Sequence, residues 1–459
     1  MPDALMTLQI LAALRQLKQH EKWSRPQIET YQTEELQRLR NYTYKHSRFY
    51  QQFHKGLFDR PLQELPILTK AMLMEHFDEL VTDPAIRLQA VRAYAANDND
   101  SGRFLNRYRV TATSGSSGHP GFFLFNRDEW ITIMASFARG QAWSGKTINL
   151  AHRTKMASVA SRSTWHLSSQ VATTTKSRWI PTIRLAASEP LPAIVRQLND
   201  FQPEVLIAYA SMAHILAEEQ LAGRLHIQPD FVYTSSEVLT EETRHRIKTA
   251  WGDEPFNQYG STETANIAAE YKLDRHMYVY DDLVIVETVD EQYQPVPPDV
   301  YGTKLLITTL FSRTQPLIRY EMNDSVKLSV GVGSAGLPFR RIEGIQGRTE
   351  DILYLSGSAG GNVAIQPLVF NRVMDIVPAS GWQIVQNSDG LTVLLSNVPE
   401  SFSDNVLVNR LTQELAAQGV HVPLIQVQHV TAIPKNAAGK APLIKANPAA
   451  QRPTSLGNW

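Results

Sequence analysis

The stretch 112-ATSGSSGHPGFF-123 packs small hydroxylated residues and glycines into a few positions, then passes through Pro120 into an apolar run. Glycine lets backbone N–H groups close on an anion, and Ser and Thr add hydroxyl donors, so the chemistry such a loop offers is phosphate binding. A plain surface turn is the alternative reading of the same residues. Other candidate motifs carry less. The run 331-GVGSAG-336 matches the dinucleotide spacing GxGxxG, but Leu337-Pro338-Phe339-Arg340 follows without helical periodicity, which predicts a hairpin turn. No Gly-Lys-Ser/Thr closes 115-GSSGHP-120, so the loop is not of the Walker type. The 13 histidines are scattered, and no His/Asp/Glu cluster has zinc-ligand spacing.

Any such chemistry needs elements to hold it. The chain has 459 residues, 43% of them hydrophobic and 20% charged, which is enough for a large core and for more than one domain. Lys+Arg and Asp+Glu both number 45, so no overall field draws the protein to nucleic acid or an anionic membrane. Cysteine is absent, which excludes disulfides, a cysteine nucleophile and thiolate metal sites, and fits a reducing compartment. Residues 1–20 read as an amphipathic helix, not a signal peptide, and no apolar run approaches a membrane span. The expected setting is the cytoplasm.

Residues 1–100 read as mainly helical and end in the breaker 96-ANDNDSGR-103. From 104 to 265 short apolar runs alternate with helical patterns, which predicts an α/β core. Within it, 204-EVLIAY-209 reads as a buried strand followed by Ser211 as N-cap of a helix ending at Gly223. Likewise 231-FVYTSSE-237 reads as a strand, and 240-TEETRHRIKTAWG-252 as a helix with acids in its first turn. Residues 270–345 read as strands and turns, a β-rich subdomain. The segment after 344-GIQGRTED-351 has its own strand and helix signals, such as 391-LTVLLS-396 and 404-DNVLVNRLTQELAAQG-419, and reads as a small α+β unit.

Taken in order, 113-TSGSSGHPG-121, 233-YTSSEVLTEETR-244, 257-NQYGSTE-263, 319-RYEMND-324, 347-GRTEDIL-353 and 434-PKNAAGK-440 resemble the core motifs of the adenylate-forming superfamily of acyl-CoA synthetases, nonribosomal-peptide adenylation domains and luciferases. Within it the chain is most similar to the phenylacetate–CoA ligase family, with 66-PILTK-70 and 126-NRDEW-130 as supporting details. The resemblance implies a large N-terminal adenylation domain over 1–348 and a small mobile C-terminal lid over 349–459. It further implies that Thr113, Ser114, Gly115, Ser116, Ser117 and Gly118 hold the β- and γ-phosphates of ATP. Ser235, Ser236 and Glu237 would lie along the adenine, Tyr259 would stack on it, and Gly260 and Ser261 would let backbone approach the nucleotide. Thr262 and Glu263 would be catalytic, with the Glu263 carboxylate on Mg²⁺, an ion that prefers oxygen. Asp324 would accept from the ribose hydroxyls, and Arg348 would reach the ribose or a phosphate. Lys440 would enter with the lid to bridge the acid and the α-phosphate, so that charge stabilisation is gated by domain motion. Glu350 would be the hinge.

The chain departs from its relatives in places. His119 stands where many of them have Lys, Asn323-Asp324 where they often show Arg-Asp, and Glu350 where most carry Asp. A basic, Ser-rich 152-HRTKMASVASRSTWHLSSQ-170 replaces a Gly-rich aromatic stretch, which leaves Trp165, His166 and Tyr209 as candidates to line the acyl pocket. The expected activity is that of an acid–thiol ligase. ATP would activate a small carboxylic acid, aromatic or cyclic, as its acyl-AMP with release of pyrophosphate, and the acyl group would pass to coenzyme A. An amide ligase acting on an amine or amino acid, or the loading of an acyl carrier protein, would share the first step. A non-catalytic nucleotide-binding relative belongs to a different class, and the presence of Lys440, Glu263 and Asp324 argues against it. The expected cofactors are ATP, Mg²⁺ and coenzyme A, the partner is a small-molecule acid, and a homodimer follows the habit of related ligases.

Overall fold

The computed structural model describes residues 4–96, 102–113, 121–146, 153–161, 163–333, 335–348, 351–358, 360–365, 367–374, 377, 379, 381–435 and 441–447. The leading segment is helical, as its periodicity predicts. Ala4–His20 and Arg25–His46 are followed by the short helices Arg48–Phe53, Lys70–Glu75, Phe77–Leu80 and Leu88–Ala96. A buried polar joint ties this segment to the core. His20 Nδ1 lies 2.9 Å from Asp282 Oδ2, and Arg139 from the helix Arg127–Trp143 donates to both Asp282 oxygens at 2.8 and 2.9 Å. The Arg139 guanidinium stands 4.0 Å from the centre of the Tyr280 ring. A guanidinium held on a π-face and an imidazole thus meet a carboxylate that has no solvent access.

The strands up to residue 348 are β1 (Arg109–Ala112), β2 (Phe122–Phe125), β3 (Met156–Ala160), β4 (Thr182–Ala186), β5 (Val205–Tyr209), β6 (Phe231–Ser235), β7 (Phe256–Ser261), β8 (Ala265–Glu270), β9 (Met277–Val279), β10 (Val284–Val289), β11 (Lys304–Thr309), β12 (Tyr320–Met322), β13 (Asp324–Val332) and β14 (Arg340–Arg348). Nine of them make one sheet in the order β13-β14-β9-β8-β7-β6-β5-β3-β4. Strands β3 to β7 run parallel, and β7 onward to β13 pair antiparallel. The region read as a β-rich subdomain therefore supplies β9, β13 and β14 to the same sheet as the α/β core, and builds a separate three-stranded sheet from β10, β11 and β12. The run 331-GVGSAG-336 falls at the junction of the antiparallel pair β13–β14, a hairpin connection as its sequence predicts.

From β3 the chain steps outward to β4, then crosses back over β3 to β5 and continues to β6 and β7. Right-handed crossovers place successive helices on opposite faces when this direction reverses, and a crevice opens at the carboxyl ends of the strands. The core clusters follow that rule. Leu198, Met212, Leu216, Ile247 and Trp251, from the helices Leu191–Phe201, Ala210–Leu221 and Glu241–Trp251, share one cluster, whereas Trp165 and Leu167 belong to another. The Thr240 hydroxyl caps its helix by accepting from Thr243 N–H, and Gly252 ends it at φ 90°, as expected. The expected N-cap at Ser211 is displaced: the helix begins at Ala210 with Tyr209 as cap, and Ser211 lies in the first turn. The Ser211 N–H donates to Glu237 Oε2 at 2.9 Å, so a carboxylate from the next crossover takes over the capping.

From Leu353 onward the chain builds its own core around Phe370, Ile384, Val393, Leu411 and Leu415. A four-stranded sheet, ordered Leu424–Val430, Gly390–Ser396, Gly381–Gln386 and Ile444–Lys445, is covered by the helices Pro367–Met374 and Asp404–Ala417. The fold class is thus α/β with an α+β C-terminal part. Among the described residues no helix is long and apolar enough to cross a membrane.

Candidate active site at the carboxyl ends of the sheet

The hairpin β1–β2 carries the glycine-rich loop. Thr113 N–H donates to Gly121 O at 2.9 Å, and Gly121 N–H donates back to Thr113 Oγ1 at 2.8 Å, which closes the neck of the loop. Ser114, Gly115, Ser116, Ser117, Gly118 and His119 lie outside the described residues. Lys70, at the start of a helix capped by Thr69, brings its Nζ to 3.2 Å from Thr113 Oγ1. A Cβ at Gly121 would approach Lys70 Cε to 3.0 Å, so the glycine makes room for this side chain. Sequence reasoning took 66-PILTK-70 as a family marker and gave its lysine no role. A lysine from a helix more than forty residues upstream thus stands at the neck of this loop.

The second component is the turn after β7. Thr111, on the strand leading into the loop, places its hydroxyl 3.4 Å from both Thr262 O and Phe123 O, a long contact that brings the two segments side by side. Ser261 Oγ accepts the N–H groups of Glu263 and Thr264, each at 3.2 Å, and lies 3.0 Å from Thr264 Oγ1. Such a serine turn holds its backbone without help from a neighbouring strand. A register shift between Tyr259 and Gly260 marks a bulge, and a Cβ at Gly260 would sit 2.3 Å from Ala265 O. The hairpin itself therefore requires this glycine, independently of any ligand.

The bulge aims Tyr259 at β13, where its hydroxyl donates to Asp324 Oδ2 at 2.7 Å across 65 residues of sequence. Asp324 is only 8% exposed, so the charge-assisted bond lies in a low-dielectric setting. Across the sheet Asp324 is the register partner of Arg348. The Arg348 side chain, Glu350 and Lys440 lie outside the described residues. Ser236, at the end of β6, is held at φ 69°, a left-handed conformation that costs a non-glycine residue on the order of 1 kcal/mol. Its neighbour Glu237 spends one oxygen on Ser211, as described above.

Tyr209 closes the crevice at the reversal point, its hydroxyl accepting from Ser161 N–H at 3.0 Å between the ends of β5 and β3. Burial pushes this phenol up to about 12, so it stays neutral. Trp165 is turned the other way. Its ring meets Tyr94 edge-on at 5.2 Å within the main core, and its carbonyl accepts from Ala112 N–H. His166 precedes the helix Leu167–Thr175 as its cap residue. The structure thus joins the turn 259–263 to Asp324 through Tyr259 and to the strand before Thr113 through Thr111, and commits the Trp165 ring to the core.

Glu263 is the partly exposed acid at the rim of the turn. Among the described residues no group of three or more His, Asp or Glu could enclose a metal alone. That donor set suits Mg²⁺, which commonly keeps several waters and takes one or two carboxylates together with phosphate oxygens.

No family model matches the chain. Its closeness to solved structures defines the class: it has the fold of adenylate-forming acyl-CoA ligases. A 2-hydroxyisobutyryl-CoA ligase in the postadenylation state superposes with a TM-score of 0.74 at 18% identity, covering 94% of this chain and 92% of that one. The same ligase in its thioesterification state, with 2-hydroxyisobutyryl-AMP and CoA, gives 0.61 at 18% identity over the same shares of the two chains. Among curated proteins the particular resemblance is to phenylacetate–CoA ligases. The enzyme of Thermus thermophilus is 28% identical over 207 residues, 43% of this chain and 45% of that one. Protein CapK of Staphylococcus aureus is 26% identical over 264 residues, 56% of this chain and 55% of its own. The chain thus spans about half the length of the curated relatives it matches. The resemblance read from the ordered motifs is borne out as a similarity to phenylacetate–CoA ligases over part of the chain.

Proposed function

We propose that the protein is an AMP-forming carboxylate–CoA ligase acting on a small aromatic or cyclic acid. The observation that carries the reading is the turn 259–263, which holds Asp324 on one side and the strand into the glycine-rich loop on the other. A nucleotide laid along it would place its adenine on Tyr259 beside Ser235, Ser236 and Glu237, its ribose hydroxyls on Asp324 and its triphosphate toward Thr113 and the loop residues 114–118. Lys70 would counter the phosphate charge in place of the lysine missing at position 119. Glu263 would hold Mg²⁺, which when bound neutralises phosphate charge. Thr262 would orient the α-phosphate for attack by the substrate carboxylate, and pyrophosphate would leave.

The acid would occupy the crevice between the ends of β3 and β5, under Tyr209, with His166 as a further lining candidate. Two anions must meet there, so the last cation matters most. We assign it to Lys440, brought in by residues 349–459 acting as a lid on the 1–348 domain, with Glu350 as hinge and Arg348 on the ribose or a phosphate. The acceptor in this reading is the thiol of coenzyme A, as the names of the relatives suggest. An amine, an amino acid or a carrier-protein thiol would use the same first step. The chain would work in the cytoplasm, and a homodimer is the oligomer to look for. The deciding experiment supplies the acyl-AMP and offers coenzyme A, a panel of amines and a carrier protein separately. Thioester formation with coenzyme A alone supports the reading, and product only with an amine replaces it.

A further inference from the structure

The loop that leads toward Lys440 makes a contact of its own. Ile433 belongs to the C-terminal part, where a Cβ at Gly381 would meet its Cγ1 at 2.9 Å. Two residues on, Lys435 leaves that part altogether. Its Nζ donates to Ala187 O at 2.6 Å and lies 3.5 Å from Met212 Sδ. Ala187 directly follows β4 and is fully buried, and its own N–H is tied to Ala160 O at 2.7 Å, at the end of β3. Met212 stands in the first turn after β5. Burial pushes the Lys435 ammonium below the usual lysine range, and the charge of Glu237 opposes that shift. One lysine of the C-terminal part thus reaches a residue just after β4 and another just after β5, beside the reversal point of the sheet.

A half-buried ammonium needs an acceptor, and a backbone carbonyl fixed between two strands is one that cannot move away. A surface lysine would stay in water. We propose that Lys435 is a positioning residue: it anchors the C-terminal part on the strand ends through Ala187 O, and so sets where the following loop enters. The inference deepens the ligase reading and rests on it for its meaning in catalysis, but not for the anchoring itself.

The test uses the full chain. It has no cysteine, so Arg196→Cys on the core and Asn405→Cys on the C-terminal part give two unique sites for spin labels. Electron–electron distance distributions are recorded for this parent, for Lys435→Met, which keeps the stem and drops the charge, and for Lys435→Arg. The parent should show one dominant distance. Lys435→Met should spread or shift it, with the anchored population reduced on the order of tenfold, and Lys435→Arg should recover most of it. In pyrophosphate exchange, Lys435→Met should lower the maximal rate on the order of tenfold with the KM for ATP changed less than about twofold, because the residue touches no nucleotide. An unchanged distance distribution in Lys435→Met overturns the proposal, as does an unchanged exchange rate in an active parent. A parent with no exchange at all defeats the ligase reading, and the distance measurement then still decides the anchor.

Discussion

The hydrogen bond between Tyr259 and Asp324 makes a quantitative prediction. Asp324 is 8% exposed and accepts from the phenol at 2.7 Å. A hydrogen bond to a charged group is worth about 1.5–3 kcal/mol, which is roughly a ten- to hundredfold effect when the partner is lost. Tyr259→Phe keeps the stacking face and removes only the donor, so it should destabilise the free protein by about 1–2 kcal/mol. Bound ATP should return part of that loss, because the ribose hydroxyls donate to the same carboxylate. The Kd for ATP should therefore rise less than about fivefold in this variant. Asp324→Asn removes the acceptor-only charge itself, and its Kd for ATP should rise by roughly ten- to hundredfold. The two changes should not add: a double-mutant cycle in thermal or denaturant unfolding should show a coupling of about 1 kcal/mol or more. Calorimetric titration with ATP and unfolding of the four variants supply every number needed. Strict additivity, together with an unchanged ATP affinity in Asp324→Asn, would refute the claim that ring and carboxylate form one nucleotide site.

Other consequences follow from the same structure. Lys70→Ala should raise the KM for ATP about ten- to hundredfold in initial-rate assays, with Lys70→Arg retaining much of the affinity, whereas a purely structural lysine would leave KM unmoved. Removing Arg139 strands the buried Asp282 carboxylate, so Arg139→Ala should cost about 3–5 kcal/mol in unfolding experiments without needing any ligand to reveal it. His54 is 6% exposed, and burial, assisted by Arg40, pushes its imidazole down to about 4 from 6.5. The folded chain therefore keeps it neutral where the unfolded chain takes up a proton. Its contribution is complete above about pH 6.5 and is lost as pH falls toward 4, by at most about 3 kcal/mol, and His54→Gln should flatten that slope in unfolding measured between pH 7 and 5.

Short-range signals were well legible in the sequence. The strand at 205–209, the helix at 241–251 with its Thr240 cap and Gly252 stop, and the hairpin near 331–336 all follow from local periodicity and turn chemistry. Ordered motifs also singled out Tyr259 and Asp324, which the structure joins by a hydrogen bond. What escaped were side chains whose meaning depends on a distant partner. Lys70 is an ordinary helix-start lysine until Thr113 and Gly121 face it. Ser211 looked like a cap because the competing carboxylate, Glu237, lies in another crossover. Glu129 shows why such partners hide: the family marker 126-NRDEW-130 contains it, but its carboxylate is buried against the backbone and hydroxyl of Thr314, 185 residues away. Sheet membership was equally hidden, since β13 and β14 have the same alternation whether they stand apart or extend the central sheet.

The central claim is that one crevice activates a carboxylate at the expense of ATP. Exchange of labelled pyrophosphate into ATP, run with Mg²⁺ over a panel of aromatic, cyclic and short aliphatic acids, tests it directly. The account predicts exchange that depends on the acid, is strongest for a small aromatic or cyclic member, and falls on the order of 10²-fold or more in Lys440→Ala. Exchange absent across the whole panel while ATP still binds would contradict it and leave a nucleotide-binding protein without this chemistry.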